Sequence, residues 1–310
     1  MSKQSFIVIG HKNPDTDSIV SAIVYRDYLE KKGIKAKSAR AGELNKETKF
    51  IFSFLKVKIP QLIENLSGKD VVLVDHGELS QAADGIKEAN ILQVLDHHRM
   101  AGFSTIEPIL YRTEPIGSTS TLIAKIFKES KLELNKQQAA LLLAGVISDT
   151  LNLTSPTTTI LDREIVKELT RISGLDVKKI AQKMFKAKSD LRGISINEIL
   201  TKDYKEFNFS GTKVGISVYE TVVCDPFEKM KEKIFNALRR LKKERSIELI
   251  FFAIVDILKQ EAFMYIIGFE EEQIAKKAFR ENIKENIMYL PGVVSRKKQM
   301  VPVLAKVLEK

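Results

Sequence analysis

Short apolar runs that stop at a histidine or an acid, alternating with segments of helical period, set the tightest limit on this fold. Ser5-Phe6-Ile7-Val8-Ile9, closed by Gly10, Val71–Val74 and Ile91–Leu95 each read as a strand buried on both faces. Between and after them, Ile19, Ala22, Ile23, Tyr25 and Leu29 keep helical spacing over 18–30, and similar patterns recur over 118–129, 136–147 and 160–172. Continuous apolar strands interleaved with amphipathic helices predict an α/β fold, its first half a doubly wound, mainly parallel sheet covered on both faces. The order changes after the polar stretch Lys188-Ser189-Asp190-Leu191-Arg192-Gly193. From there Lys213–Val223, Leu249–Ile257 and Ala262–Gly268 predict strands, and 226–244 a helix striped by Phe227, Met230, Ile234, Leu238 and Leu241. A helix near 271–279, a strand near 286–290 and a last helix near 301–309 complete the pattern. A chain of 310 residues with this change of rhythm predicts two domains. Their bounds are 1–188 and, for a smaller mixed α/β domain, 196–310, with 189–195 as linker and hinge.

The strand ends carry the chemistry. The first strand runs into His11-Lys12-Asn13-Pro14-Asp15-Thr16-Asp17-Ser18, the second ends in Asp75-His76, and the third in Asp96-His97-His98-Arg99. All four histidines of the chain lie in these three motifs, each beside carboxylates. Open parallel sheets bind ligands beyond the carboxyl ends of their strands, where the strand order reverses. Ser148-Asp149-Thr150, after the apolar helix 136–147, adds a further acid. Taken singly, each has a structural reading: Asp15 or Asp17 as a helix cap, Asp149 as a turn residue, His97 and His98 as a surface loop. As a set they are mixed carboxylate and imidazole donors without thiolate, which suits manganese, iron or magnesium-like ions. Five or more such ligands exceed one structural zinc and fit two metals about 3.5–4 Å apart sharing a carboxylate. Such a pair makes hydroxide available near neutral pH and clamps phosphoryl oxygens for in-line attack.

Composition removes several other classes. Cys224 is the only cysteine, so no intramolecular disulfide or cysteine-based zinc site can form, and the chain reads as cytosolic. Cys224 itself is expected to be a core residue, not a nucleophile. The first ten residues lack the long apolar region of a signal peptide. The longest apolar runs, around 141–147 and 249–258, are too short to span a membrane. A net charge of +10 points to an anionic partner. The basic face formed by Lys229, Lys231, Lys233, Arg239, Arg240, Lys242 and Lys243 either binds nucleic-acid phosphates or is the solvated side of an amphipathic helix.

The same residues carry a family resemblance along nearly the whole chain. His11-x-x-x-Asp15-x-Asp17, Asp75-His76 and Asp96-His97-His98 resemble the signature of the DHH phosphoesterase superfamily. Ser295-Arg296-Lys297-Lys298-Gln299 resembles the substrate-binding motif of family II inorganic pyrophosphatases, and the glycine-rich, histidine-ending motif of the nuclease branch is missing. The resemblance implies hydrolysis of inorganic pyrophosphate, with a DHH phosphodiesterase acting on short oligonucleotides or cyclic dinucleotides as the alternative. It implies that His11, Asp15 and Asp75 hold one metal and that Asp17, Asp75, His97 and Asp149 hold the other, Asp75 bridging. The metals would be manganese, with cobalt or iron as alternatives, and magnesium would accompany the pyrophosphate. His98, Lys205, Arg296 and Lys297 would contact substrate, with Lys202 as the alternative to Lys205, and Asp96 and His76 would orient the ligating groups. The resemblance further implies an active site in the cleft between the domains and a cytoplasmic homodimer that binds neither nucleic acid nor membrane. One departure stands out: the family often has a polar residue where this chain has Gly77.

Overall fold

The apolar run ahead of Gly10 forms β1 (Phe6–Ile9), and the segment after it forms α1 (Thr16–Lys31), two residues earlier than its apolar spacing predicts. The helix starts early because Asp15 caps it, its Oδ1 accepting the Ser18 N–H at 3.0 Å. The computed structural model describes residues 5–100, 102–105 and 107–309, and these divide into two compact units, one ending at Lys188 and one beginning at Ser189.

In the first unit β2 (Ala36–Arg40), α2 (Lys46–Leu55), β3 (Gln61–Leu62), β4 (Asp70–Val74), β5 (Asn90–Asp96) and β6 (Leu110–Thr113) follow α1. Then come α3 (Thr119–Glu129), α4 (Lys136–Asp149), α5 (Ile160–Ser173) and α6 (Val177–Lys188). All six strands are parallel, in the order β3-β2-β1-β4-β5-β6, so the direction of winding reverses between β1 and β4. Alternate strand residues face opposite ways and both sets are buried. Ile9, Val71, Leu73 and Val94 pack with Leu66, Ala82, Ala83 and Ile86 on one side. Val8, Val72 and Leu95 between them are fully buried as well, with α1 packed on β1 and β4 and α3 on β5. Each such aliphatic side chain contributes about 1.5–3 kcal/mol when fully buried. β2, β3, β6, α2 and α6 have no counterpart in the apolar pattern. In β2 only Ala36 and Ala39 are buried, too little apolar surface to mark a strand.

In the second unit residues 189–195 contain neither helix nor strand, and Ser195 caps α7 (Ile196–Thr201). β7 (Tyr204–Phe209), β8 (Thr212–Thr221), α8 (Asp225–Glu228), α9 (Lys231–Glu244), β9 (Leu249–Asp256) and β10 (Glu261–Tyr265) follow. The unit closes with α10 (Phe269–Phe279), β11 (Ile283–Lys284), β12 (Ile287–Pro291) and α11 (Val301–Leu308). Its sheet, β11-β12-β10-β9-β8-β7, is mixed: β8 and β9 run parallel and the other neighbours antiparallel. All eight residues of β9 are buried, which explains its unbroken apolar run. The single helix expected over 226–244 is two helices. Met230, at φ −106° and ψ 5°, leaves helical geometry and breaks the hydrogen-bond ladder between them. Lys242 is bound to Glu271, itself 1% exposed, so this basic face is partly committed to pairing within the unit.

Among the described residues no helix is long and apolar enough to cross a membrane. Burial, reinforced by Asp256, pushes the Cys224 thiol up to about 12. Because the thiolate is the reactive form and here develops only at high pH, iodoacetamide should alkylate the folded chain at pH 8 at least about 10-fold more slowly than the urea-unfolded chain. Equal rates, read by mass spectrometry, would show that Cys224 is open.

Candidate active site

Five elements of the first unit deliver acids and imidazoles to one place, at the switch point between β1 and β4. His11 follows β1, Asp15 and Asp17 begin α1, Asp75 follows β4, His97 follows β5, and Asp149 ends α4. Asp17, Asp75, His97 and Asp149 each offer a donor atom within 4.8 Å of the others, and so do His11, Asp15 and Asp75. The two groups share Asp75, and its two oxygens face different rings. Oδ2 lies 3.5 Å from His11 Nε2, and Oδ1 lies 3.5 Å from His97 Nε2. His97 Nε2 is also 3.3 Å from Asp149 Oδ2, and His11 Nε2 is 3.8 Å from Asp15 Oδ2. Asp15 therefore fills both of its readings: one oxygen caps α1 while the other turns toward His11.

The donor set fits divalent cations. Asp75 Oδ2 and His97 Nε2 are buried without a hydrogen-bond partner. His97 Nδ1 lies 3.0 Å from the Ile116 carbonyl, an acceptor, so Nδ1 carries a proton and Nε2 is the nitrogen left to face the cluster. The electrostatics show how strongly the site calls for positive charge. Burial opposes a charge on His97, yet the carboxylates of Asp149 and Asp75 beside Nε2 push its pKa up to about 12. His11 is driven up to about 10 against its burial by Asp15 and Asp75. Burial and the neighbouring Asp75 raise Asp17 to about 8, and burial with the charges of Asp17 and Asp15 raises Asp149. Asp75 is held low against its own burial by the two imidazoles that face its oxygens.

The surroundings hold these groups still. Thr119 Oγ1 donates to Asp75 Oδ1 at 2.9 Å, and the Thr119 and Ser120 N–H groups at the start of α3 donate to the two oxygens of Asp17 at 2.7 and 3.0 Å. A Cβ at Gly145 of α4 would sit 2.6 Å from Asp17 Oδ1 and 2.1 Å from Ser120 Oγ, so only glycine admits this carboxylate. Asp162, fully buried, accepts the Gly117 N–H and the Thr121 hydroxyl and so fixes the turn that presents the Ile116 carbonyl. Asp75 has φ 65°, and Leu151, Asn152 and Leu153 just beyond Asp149 have φ 48°, 54° and 67°, left-handed values that cost non-glycine residues energy. Sequence reasoning missed Thr119, Asp162 and the Ile116 carbonyl. The only local signal was the polar run Gly117-Ser118-Thr119-Ser120-Thr121 ahead of an apolar helix.

His98 is the most exposed of the imidazoles, its side chain 54% exposed, but its ring centroid lies 4.2 Å from that of His97, and with Asp75 and His97 it makes a third group of neighbouring donors. Asp96 Oδ1 accepts His98 Nδ1 at 2.9 Å together with the N–H groups of His97 and His98, so one buried oxygen sets the whole turn. His76 is buried, with Nδ1 3.0 Å from the Val74 carbonyl and its ring edge-on to His11. In the second unit, Arg296, Lys297 and Lys298 lie on one π-helical turn, Arg296–Met300, which Ser295 caps and Gln299 braces through the Val294 and Ser295 N–H groups. Such turns cluster at functional sites. Arg296 Nη2 pairs with Asp203 at 2.8 Å while Nη1 is buried without a partner. Lys205 is exposed on β7, whereas Lys202 lies 5.0 Å over the Tyr219 ring.

Known proteins share this arrangement of domains. The DHH family, N-terminal domain, matches residues 5–146, and the DHHA2 domain matches residues 182–307. The chain is 41% identical over 308 residues to the manganese-dependent inorganic pyrophosphatase of Methanocaldococcus jannaschii, covering 96% of this chain and 98% of that one. The chain belongs to the manganese-dependent inorganic pyrophosphatase family. The Bacillus subtilis manganese-dependent inorganic pyrophosphatase is 38% identical over 303 residues, covering 97% of this chain and 98% of its own. A Methanococcus jannaschii crystal structure described as a candidate family II inorganic pyrophosphatase superposes with a TM-score of 0.65 at 39% identity, covering 98% of this chain and 100% of that one. Against this manganese-dependent pyrophosphatase family, Gly77 has a structural counterpart. A Cβ there would lie 2.1 Å from the Tyr111 hydroxyl, so the tyrosine fills the space a side chain at 77 would occupy.

Proposed function

We propose that this chain hydrolyses inorganic pyrophosphate to two phosphates, with one divalent cation held by His11, Asp15 and Asp75 and a second by Asp17, Asp75, His97 and Asp149. The observation that carries this reading is the shared Asp75, its two oxygens turned toward two different histidines. Manganese is the resident ion, with cobalt and iron accepted by the same donors, and magnesium enters with the substrate. When bound, the pair supplies Lewis acidity that makes hydroxide available near neutral pH and offsets phosphoryl charge. The protein's own groups do the rest. Thr119, the start of α3 and the Ile116 carbonyl orient the donors. His98, set by Asp96, donates a hydrogen bond to the phosphoryl group or the leaving oxygen. Arg296 offers a planar fork and Lys297 and Lys205 compact charges for the pyrophosphate oxygens. A cytoplasmic homodimer belongs to the same reading.

The phosphodiesterase alternative needs aromatic rings on which bases can stack. Of the aromatic rings of this half, Tyr219, Phe251, Phe252 and Tyr265 are buried in the cores of the second unit and offer no such platform, whereas Tyr204 is half-buried and Phe269, at the start of α10, is exposed. Phosphate release from pyrophosphate, ATP and a short oligonucleotide, each with manganese and magnesium or with a chelator, separates the readings. Metal-dependent cleavage of pyrophosphate alone is expected, and Arg296→Ala should lower kcat/KM by about 100-fold, the scale of losing one charge-stabilising donor. Preferred cleavage of the oligonucleotide would move the chain to the phosphodiesterase branch.

A further inference from the structure

Behind the acidic cluster lies a carboxylate to which the roles above assign nothing. Glu47, in the first turn of α2, is 0% exposed. Its Oε2 accepts the Ser148 hydroxyl at 3.1 Å and lies 3.3 Å from Lys188 Nζ, while Oε1 is buried without a hydrogen-bond partner. The next residue, Thr48, meets Thr16 hydroxyl to hydroxyl at 3.1 Å, both fully buried. One helical turn thus touches the residue between Asp15 and Asp17 and the residue before Asp149. Capping α2 does not require this burial, because Asn45 already accepts the Thr48 N–H at 2.8 Å. An exposed glutamate in the first turn would favour the helix equally and avoid the cost of burying a charge. The burial needs another cause, and α4 supplies one. Asp149 is its last residue, and the left-handed run of Leu151, Asn152 and Leu153 follows within two residues. A strained helix end keeps one geometry only when its surroundings over-determine it.

We propose that Glu47 is a positioning residue for Asp149, fixing the end of α4 through Ser148 and tying it to Lys188, the last residue of the first unit. The proposal rests on the reading of Asp149 as a metal-holding group. Its loss should weaken manganese binding in the way that removing partners of ligating side chains does, about 10–100-fold. Manganese titration calorimetry on the full chain and on Glu47→Ala, Glu47→Gln, Lys188→Met and Asp149→Asn, with pyrophosphatase kinetics at each metal concentration, tests it. Glu47→Ala should lose about 10–100-fold in affinity, and Glu47→Gln, which keeps an oxygen for Ser148, should recover most of it. Excess manganese should restore kcat in Glu47→Ala with KM for pyrophosphate unmoved, and the metal-free thermal midpoint should not fall with the affinity. Unchanged manganese affinity in Glu47→Ala, or losses that track the metal-free midpoint and ignore added manganese, would overturn the proposal. A chain whose manganese affinity ignores Asp149→Asn would remove the reading of Asp149 instead, and the proposal with it.

Discussion

Asp75→Asn should lose pyrophosphatase activity by about 1000-fold or more while the chain still folds. Asp75 is the acid common to both donor groups, so its replacement weakens two cation positions at once. Several kcal/mol of charge stabilisation rest on such cations, and each 1.4 kcal/mol is about tenfold in rate. The choice of asparagine matters because Asp75 has φ 65°, a left-handed conformation that asparagine tolerates and a β-branched residue resists. The amide also keeps an oxygen for the Thr119 hydroxyl, which donates to Asp75 Oδ1 at 2.9 Å. Asp75→Val, strained by about 1–2 kcal/mol at that φ and with the buried Thr119 donor unpaired, should lose stability as well as activity. Steady-state kinetics and circular dichroism separate the two effects. An Asp75→Asn variant retaining a tenth of the parent activity would show that Asp75 is not the bridging group.

The thermal midpoint should climb with manganese concentration and fall on chelation. A ligand at 100 times its dissociation constant adds about 2.7 kcal/mol to the folded state, worth roughly 5–10 °C for a unit of this size. The increment should be large because the metal-free cluster holds four aspartates against two histidines in a largely buried site. Differential scanning calorimetry across a manganese series reads it directly. A midpoint indifferent to manganese would mean that the folded chain does not bind the ion, and one that rises equally in Asp75→Asn would mean that it binds elsewhere.

The parts of this molecule that were legible in its sequence are those written in local period and composition. β4 and β9 are buried on both faces almost throughout, and β1 and β5 are buried over their last residues. Their segments therefore read as apolar runs, in β5 broken only by Gln93, and the residues that end those runs had to emerge at strand ends. β2 and β7 were not legible: β2 buries two alanines, and β7 is an edge strand whose exposed residues follow no apolar alternation. The break at Met230 was hidden because Phe227 and Ile234 keep helical spacing across it. Asp15 shows why single residues stayed ambiguous, since a carboxylate has two oxygens and this one uses them for two purposes.

The supporting contacts form the opposite case. Thr119 meets Asp75 across 44 residues, Asp162 reaches Gly117 across 45, and Glu47 reaches Ser148 across 101. No window of sequence contains such a pair, because each partner's position follows from a different element and from the order in which the strands assemble. The chain's own residues determined which donor types exist and that they stand at the ends of buried strands, since apolar burial dictates where a strand must stop. Only the reversal of winding between β1 and β4, and the approach of α2, α3 and α4 to that point, decided which oxygen faces which ring. Side-chain contacts of that kind depend on angles between elements, and those angles are set by packing across the whole unit.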